Sequence, residues 1–492
     1  MRPRSWLTAL VVAAALPLVA AQAQSTAYLR PALHFTPARN FMNDPNGLVY
    51  YQGEYHLFYQ YNPFGQVWGH MSWAHAVSRD LLTWTHLPVA LREADGIMIF
   101  SGSAVVDRHN TSGFCTARQG DSSCLVAIYT GHGLGKQTQN LAYSNDRGRT
   151  WTRYRGNPVI DLGLENFRDP KVIWHEPTRR WVMVTVLADQ HKVRLFGSRD
   201  LTHWETLSDF GPAAATGGVW ECPDLFELPV EGEPGKTRWV LDVDINPGGY
   251  AGGSGGQYFV GDFDGTRFVN DNPDSLTLWV DYGKDFYATT SYSDIPASDG
   301  RRIWIGWISN WEYANEEPTV AWRGGQSMPR EVTLRRTPDG LRLVQRPVRE
   351  LAARRSRTAL TIAGPTRLPG AAEFSLQVPR GTWREAGLRL FNARGEAVTL
   401  GVTSEPLAVF VDRSRARVGE TSGKYGGRHG GAIRWPGDTL TLRVLYDRSV
   451  VEIFVNDGEQ VVTERFYPTA PLTSVAPLGD VPGMVVTMRE LR

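Results

Sequence analysis

One turn sequence recurs along this chain, and it constrains the fold more than any other feature. Ser78-Arg79-Asp80-Leu81-Leu82-Thr83-Trp84 returns as Ser198-Arg199-Asp200-Leu201-Thr202-His203-Trp204. Residues 144–151 are a variant one residue longer, and residues 261–268 are a more distant copy. The copies start at 78, 144, 198 and 261, which are 66, 54 and 63 residues apart. Each reads as a turn whose Asp (Asp80, Asp146, Asp200, Asp264) accepts hydrogen bonds from its own backbone, with an aromatic strand residue after it. Short apolar runs lie between the copies, at 55–59, 125–129, 181–186 and 239–241. Gly, Asn, Asp and Pro punctuate them, and no long helical periodicity intervenes. Such a period in an all-β chain fits one four-stranded propeller blade per copy.

The repeat runs through residues 30–345. Residues 346–359 read as a charged connector, briefly helical. From 360 to 492 alternating strands and turns rich in Gly and Asp predict a second domain, a C-terminal β-sandwich. Residues 1–23 read as an export signal: Arg2 and Arg4, an apolar run at 7–19, then Ala21-Gln22-Ala23. That run is too short for a good membrane span. The expected protein is therefore secreted or periplasmic, without membrane insertion. A net charge of +1 argues against a nucleic-acid partner. In an exported chain, Cys115 and Cys124 are candidates for a disulfide, and Cys222 is left over.

Three polar, acidic segments stand where strands should be apolar: Asn43-Asp44-Pro45-Asn46-Gly47, Phe167-Arg168-Asp169-Pro170 and Trp220-Glu221-Cys222-Pro223-Asp224. Any one alone reads as a turn. Their places in the repeat are more telling. Asp44 precedes its turn by 34 residues, Ser101 by 43, Asp169 by 29 and Glu221 by 40. Those offsets fall where the innermost strand of each blade would lie, so side chains far apart in sequence would converge on one funnel. The 17 Trp and 18 Tyr offer flat apolar faces with a polar handle, which suit sugar rings, although most belong to a core. His70 and His75 are not spaced as metal ligands and no third ligand is evident. The Gly-rich stretch 248–256 lacks the Lys-Ser/Thr ending of a phosphate loop and reads as a mobile loop near the pocket. No metal or cofactor is expected.

Taken together, the three segments in this order make the chain resemble glycoside hydrolase family 32, the group that cleaves fructans and sucrose. Gln60, Trp68-Gly69, Phe100-Ser101-Gly102-Ser103, Asp281-Tyr282-Gly283-Lys284-Asp285-Phe286-Tyr287 and, near the end, Asp447-Arg448-Ser449-Val450-Val451-Glu452-Ile453-Phe454 also match. The resemblance implies a five-bladed propeller followed by a β-sandwich. It also implies Asp44 as nucleophile, Glu221 as acid/base, and Asp169 gripping ring hydroxyls with Arg168 holding it ionised. Asn43, Gln60, Trp68, Phe100 and Ser101 would line a pocket for the terminal fructose, with Trp311 and Trp322 on its rim. The stretch 246–265 and Trp307-Ile308-Ser309-Asn310-Trp311 resemble exo-acting levanases and exo-inulinases. The implied activity is retaining release of fructose from levan, inulin or sucrose. Two other readings stay open: a sialidase-like glycosidase on the same architecture, and a sugar-binding protein without catalysis.

Overall fold

The recurring turn joins the third and fourth strands of a four-stranded sheet, four times over. The computed structural model describes residues 26–116, 123–416 and 423–492. The export segment expected at 1–23 lies outside them. The first sheet is β1 (Asn40–Tyr51), β2 (Glu54–Tyr61), β3 (Ser72–Ser78) and β4 (Trp84–Leu91). The second is β5 (Met98–Asp107), β6 (Cys124–Gly133), β7 (Lys136–Ser144) and β8 (Thr152–Arg153). The third is β9 (Phe167–His175), β10 (Arg180–Leu187), β11 (Lys192–Ser198) and β12 (Glu205–Phe210). The fourth is β13 (Val219–Pro229), β14 (Thr237–Asn246), β15 (Gly255–Phe263) and β16 (Phe268–Asn270), with β17 (Leu278–Trp279) also on β15. The fifth begins with β18 (Tyr287–Ser291) and β19 (Arg302–Trp307). β20 (Trp322–Arg323) then leaves to pair in parallel with β1, and β21 (Arg330–Thr337) and β22 (Gly340–Pro347) complete the blade. These are the five blades of the propeller.

The turn chemistry is as the sequence dictates. Asp80 Oδ1 accepts from the backbone N–H of Leu82 and Thr83 (3.0 and 2.6 Å), and Asp200 Oδ1 from Thr202 and His203 (both 2.8 Å). Asp146 accepts from Thr150 N, and Asp264 from Thr266 N and Arg267 N. Blades pack face to face, so the middle strands are apolar on both sides. In β10, Val182, Val184 and Val186 meet Leu241, Val243 and Phe259 of the fourth blade. The alternate residues Trp181, Met183 and Leu187 meet Val126, Ile128 and Leu141 of the second. Each such fully buried side chain stabilises by about 1.5–3 kcal/mol relative to exposure.

Hydrogen bonds between neighbouring inner strands tie the ring together. Gly102 N donates to Asn46 Oδ1 (3.1 Å) and Val172 N to Ser103 Oγ (3.0 Å). Cys222 N donates to Asp169 Oδ2 (3.0 Å), Ser291 N to Asp224 Oδ2 (2.6 Å), and Tyr50 N to the Ser293 carbonyl (3.0 Å). A 3-10 helix, Arg349–Arg354, follows the last blade. Two six-stranded antiparallel sheets then face each other over a core that includes Phe374, Leu388, Leu400, Val444 and Ile453. Leu445, Phe454 and Val461 of this sandwich pack against Tyr292, Ile303 and Ile305 of the propeller. Cys115 and Cys124 are disulfide-bonded. Among the described residues no helix is long and apolar enough to cross a membrane.

Candidate active site

Every inner strand is broken by a bulge at the same height. The register shifts between Met42 and Pro45 in β1, Ile99 and Gly102 in β5, Glu221 and Asp224 in β13, and Tyr287 and Thr290 in β18. In β9 the shift falls between Arg168 and Lys171. Proline explains three of these places. Pro45, Pro170 and Pro223 have no N–H to give a ladder, so regular pairing is interrupted beside each and the preceding side chain is re-aimed. Asp169 and Cys222 sit in the left-handed region at φ +62° and +47°, and so does Ala288 at +53°. Such positions cost on the order of 1–3 kcal/mol each and persist only where their surroundings over-determine them. Here the backbone bend turns carboxylates toward the ring axis.

The result is a cavity of about 470 Å³ at one mouth of the ring. Asp44, Asp169 and Glu221 line it together with Asn43, Gln60, Trp68, Phe100, Ser101, Arg168 and Trp311. The space beneath, along the ring axis, is only about 20 Å³ and is walled by Pro45, Pro170 and Pro223, so the cavity has a floor. Another cleft, about 160 Å³ between the fourth and fifth blades and the sandwich, includes none of these residues.

Each carboxylate has its own surroundings. Asp44 accepts from Ser101 Oγ at 2.5 Å and from Asn43 Nδ2 at 2.8 Å. Burial pushes its carboxyl above the usual range, while those two donors oppose the shift. Asp169 is raised to about 7, first by burial and further by Glu221 and Asp44; the Arg168 charge only partly offsets this. Arg168 was expected to hold Asp169 ionised. It pairs with Asp169 at 3.9 Å and makes its closer contact to Glu221 Oε1 at 3.1 Å. Glu221 Oε2 also accepts the Tyr287 hydroxyl. Burial, then the Glu221 charge, drives that phenol well above its ordinary range, so it stays a donor. The Cys222 thiol lies 3.7 Å from both Asp44 Oδ2 and Asp169 Oδ2. Burial, then the Asp169 charge, keeps it protonated. Cys222 thus backs Asp44 and Asp169 and makes no hydrogen bond to Glu221.

The wall is aromatic on one side. Phe100 stacks on His132 at 4.5 Å and meets Trp68 edge-on at 5.8 Å. Two buried polar atoms, Asn43 Oδ1 and Gln60 Nε2, have no protein partner. Both residues line the cavity. Trp322 does not join this wall. It is 1% exposed, with the guanidinium groups of Arg30 (4.6 Å) and Arg465 (5.4 Å) over its ring, and its backbone pairs with Asn40. Its aromatic face therefore packs the fold, which a tryptophan at a rim and a tryptophan in a core cannot reveal by identity alone. The Gly-rich loop is pinned: Gly248 N and Gly249 N donate to the Gly253 carbonyl at 2.8 and 2.9 Å.

Residues 34–347 match the glycosyl hydrolases family 32 N-terminal domain, and residues 345–478 match the glycosyl hydrolases family 32 C terminal. The chain belongs to family 32. A levanase of Bacillus subtilis is 48% identical over 456 residues, covering 89% of this chain and 66% of the levanase. A levanase of a second Bacillus strain is 40% identical, covering 89% of this chain and 49% of that one. The chain thus spans only part of either bacterial levanase. The crystal structure of exo-inulinase from Aspergillus awamori superposes with a TM-score of 0.88 at 34% identity, covering 94% of this chain and 98% of that one.

For a family 32 chain, several cavity residues escaped the sequence reading. His132, Gln137, Asn246, Tyr287 and Asn315 also line the cavity. Tyr287 had a usable signal. It opens the inner strand of the fifth blade, the place in the repeat that Asp44, Asp169 and Glu221 occupy in theirs. The fifth blade carries no copy of the Asp turn, so only the resemblance at residues 281–287 marked its register. Among the described residues the cavity has a single arginine, Arg168, and not the arginine cluster that a sialidase reading requires.

Proposed function

We propose that this chain is a retaining exo-acting β-fructofuranosidase that works outside the cytoplasm. It releases terminal fructose from fructans such as levan and inulin, and from sucrose. The observation that carries this reading is the meeting of Asp44, Asp169 and Glu221, from three separate blades, at one floored cavity. The relatedness to levanases and an exo-inulinase supports the substrate class. A floor suits a chain end better than the middle of a polymer.

Asp44, which no cationic side chain touches among the described residues, attacks the anomeric carbon of the terminal fructosyl unit. Glu221 protonates the departing glycosidic oxygen as that bond breaks. The product of this step is a fructosyl ester on Asp44. Glu221, now a carboxylate, takes a proton from water, which attacks the same carbon and frees both fructose and Asp44. Asp169, with Asn43 and Gln60, binds ring hydroxyls, and these bonds strengthen as the ring flattens. Arg168 and Tyr287 orient Glu221 through both stages.

The test is incubation with levan, inulin and sucrose separately, with products resolved over time. Free fructose from the first time points, without intermediate oligomers, is expected, and Asp44→Asn should abolish it. Early oligomers would replace the exo reading with an endo one. Binding of levan without any fructose release would leave a sugar-binding protein.

A further inference from the structure

The cavity wall that carries Trp311 and Asn315 is residues 308–317, an irregular stretch whose only regular element is the short 3-10 turn Ala314–Glu316. Such a segment must find partners for its polar groups outside itself. The β-sandwich supplies them. Arg465 donates to both carboxylate oxygens of Glu317 at 3.1 Å and to the Ile308 carbonyl at 3.4 Å. Glu317 also accepts from Ser309 Oγ at 2.6 Å. Arg413 donates to the Tyr313 hydroxyl at 2.9 Å and to Asp285 Oδ2 at 2.5 Å. The Tyr313 hydroxyl in turn donates to Asp285, two residues before Tyr287. All five of these side-chain partners, Arg413, Arg465, Asp285, Tyr313 and Glu317, are at most 1% exposed.

The segment passes its position on to the rest of the wall. Asn315 Oδ1 accepts from Trp68 N at 2.7 Å. Asn310 Nδ2 donates to the carbonyls of Gly252 and Ser254 at 3.1 and 3.2 Å, which fixes the loop that follows Asn246. Trp68, Asn246, Trp311 and Asn315 therefore share one anchor.

Burying guanidinium groups against carboxylates is a poor way to gain stability, since apolar side chains of similar size often serve as well or better. What planar, fixed donors provide is a single geometry. We propose that Arg413 and Arg465 of the β-sandwich are positioning residues for the substrate cavity. They lock residues 308–317 so that Trp311 and Asn315 stand at the fructosyl unit. The inference rests on the fructosidase reading of that cavity. It also gives the sandwich a part in substrate binding although none of its described residues lines the cavity.

Steady-state kinetics on sucrose separate this role from plain stabilisation. The variants are Arg413→Met, Tyr313→Phe (which removes only the bridging hydroxyl) and, as a control, Glu373→Gln. Glu373 pairs with Arg355 and Arg443 in the sandwich and touches none of these groups. All are assayed well below the lowest melting temperature. Arg413→Met should raise KM about tenfold with kcat changed far less, because a misplaced wall weakens binding while Asp44 and Glu221 stay on their own strands. Tyr313→Phe should raise KM by a smaller factor, and Glu373→Gln should leave it unchanged. Wild-type KM in Tyr313→Phe and in folded Arg413→Met would overturn the proposal. If Arg413→Met does not fold, wild-type KM in Tyr313→Phe alone would do so, as would an equal KM rise in the control. A wild-type protein that releases no fructose would instead refute the functional reading.

Discussion

Replacing Ser101 by Ala removes one hydrogen bond to the carboxylate that must attack the sugar. Ser101 Oγ stands 2.5 Å from Asp44 Oδ2, and Asp44 is 9% exposed, so solvent screens little of this contact. A hydrogen bond to a charged group contributes about 1.5–3 kcal/mol. At about 1.4 kcal/mol per pH unit, its loss should move a carboxylate's titration up by about 1–2 units. The Asn43 amide remains at 2.8 Å, which places the expected change near the lower end. Ser101 and Asn43 are the donors that oppose the upward push of burial on Asp44, so the direction is fixed. Attack requires the ionised form, and the acid limb of kcat/KM for fructose release should therefore move to higher pH. Activity on the plateau above that limb should fall by a smaller factor. The assay is initial-rate fructose release from sucrose across the acid range, with circular dichroism to confirm folding. If the limb stays in place while the plateau falls, Ser101 binds the sugar and does not tune Asp44.

Other expectations concern the wall and the domain contact. Trp311→Ala should raise KM for sucrose with little change in melting temperature. Trp322→Ala, deleting a fully buried ring, should cost about 3–5 kcal/mol in urea denaturation; a Trp322→Ala protein of wild-type stability would contradict the packing assignment. His34 joins the N-terminal segment to the sandwich through Asp447 (3.0 Å) and Glu452 (3.3 Å). Burial alone would lower its pKa, but these carboxylates win and hold the imidazolium to about 9. A raised folded pKa contributes stability that is full below the ordinary value near 6.5 and lost as pH rises through 9. The melting temperature should decline over that window, by the equivalent of on the order of 3 kcal/mol. A decline of the same size in His34→Gln would show that another group is responsible.

Much of this fold was readable because its repeat unit is marked by a turn with its own chemistry. Asp80, Asp146, Asp200 and Asp264 each bond their own backbone, and that requirement left four copies in the sequence. The fifth blade closes with β21 and β22 and needs no such turn, so it came only from resemblance. The three carboxylates were legible because a proline beside an acid makes little sense in an inner strand except at a bulge. What one sequence could not show is partner choice. Arg168 sits beside Asp169 in the chain and pairs with it at 3.9 Å, yet its closer partner at 3.1 Å is Glu221, 53 residues on. Trp311 and Trp322 are equally aromatic, and only packing tells the cavity wall from the core. The arginines that hold the wall lie about a hundred residues or more from the segment they grip, with nothing local to mark them.

The central claim is that Asp44 forms a bond to fructose while Glu221 supplies the proton. The most direct measurement is mass spectrometry of a proteolytic digest, made after Glu221→Ala is quenched during turnover of an activated fructosyl substrate. The account predicts that the peptide containing Asp44 gains the mass of one hexosyl residue, and that Asp44→Asn in the same background gains none. An adduct on Asp169 or another side chain, or fructose released with inverted configuration and no adduct, would contradict it.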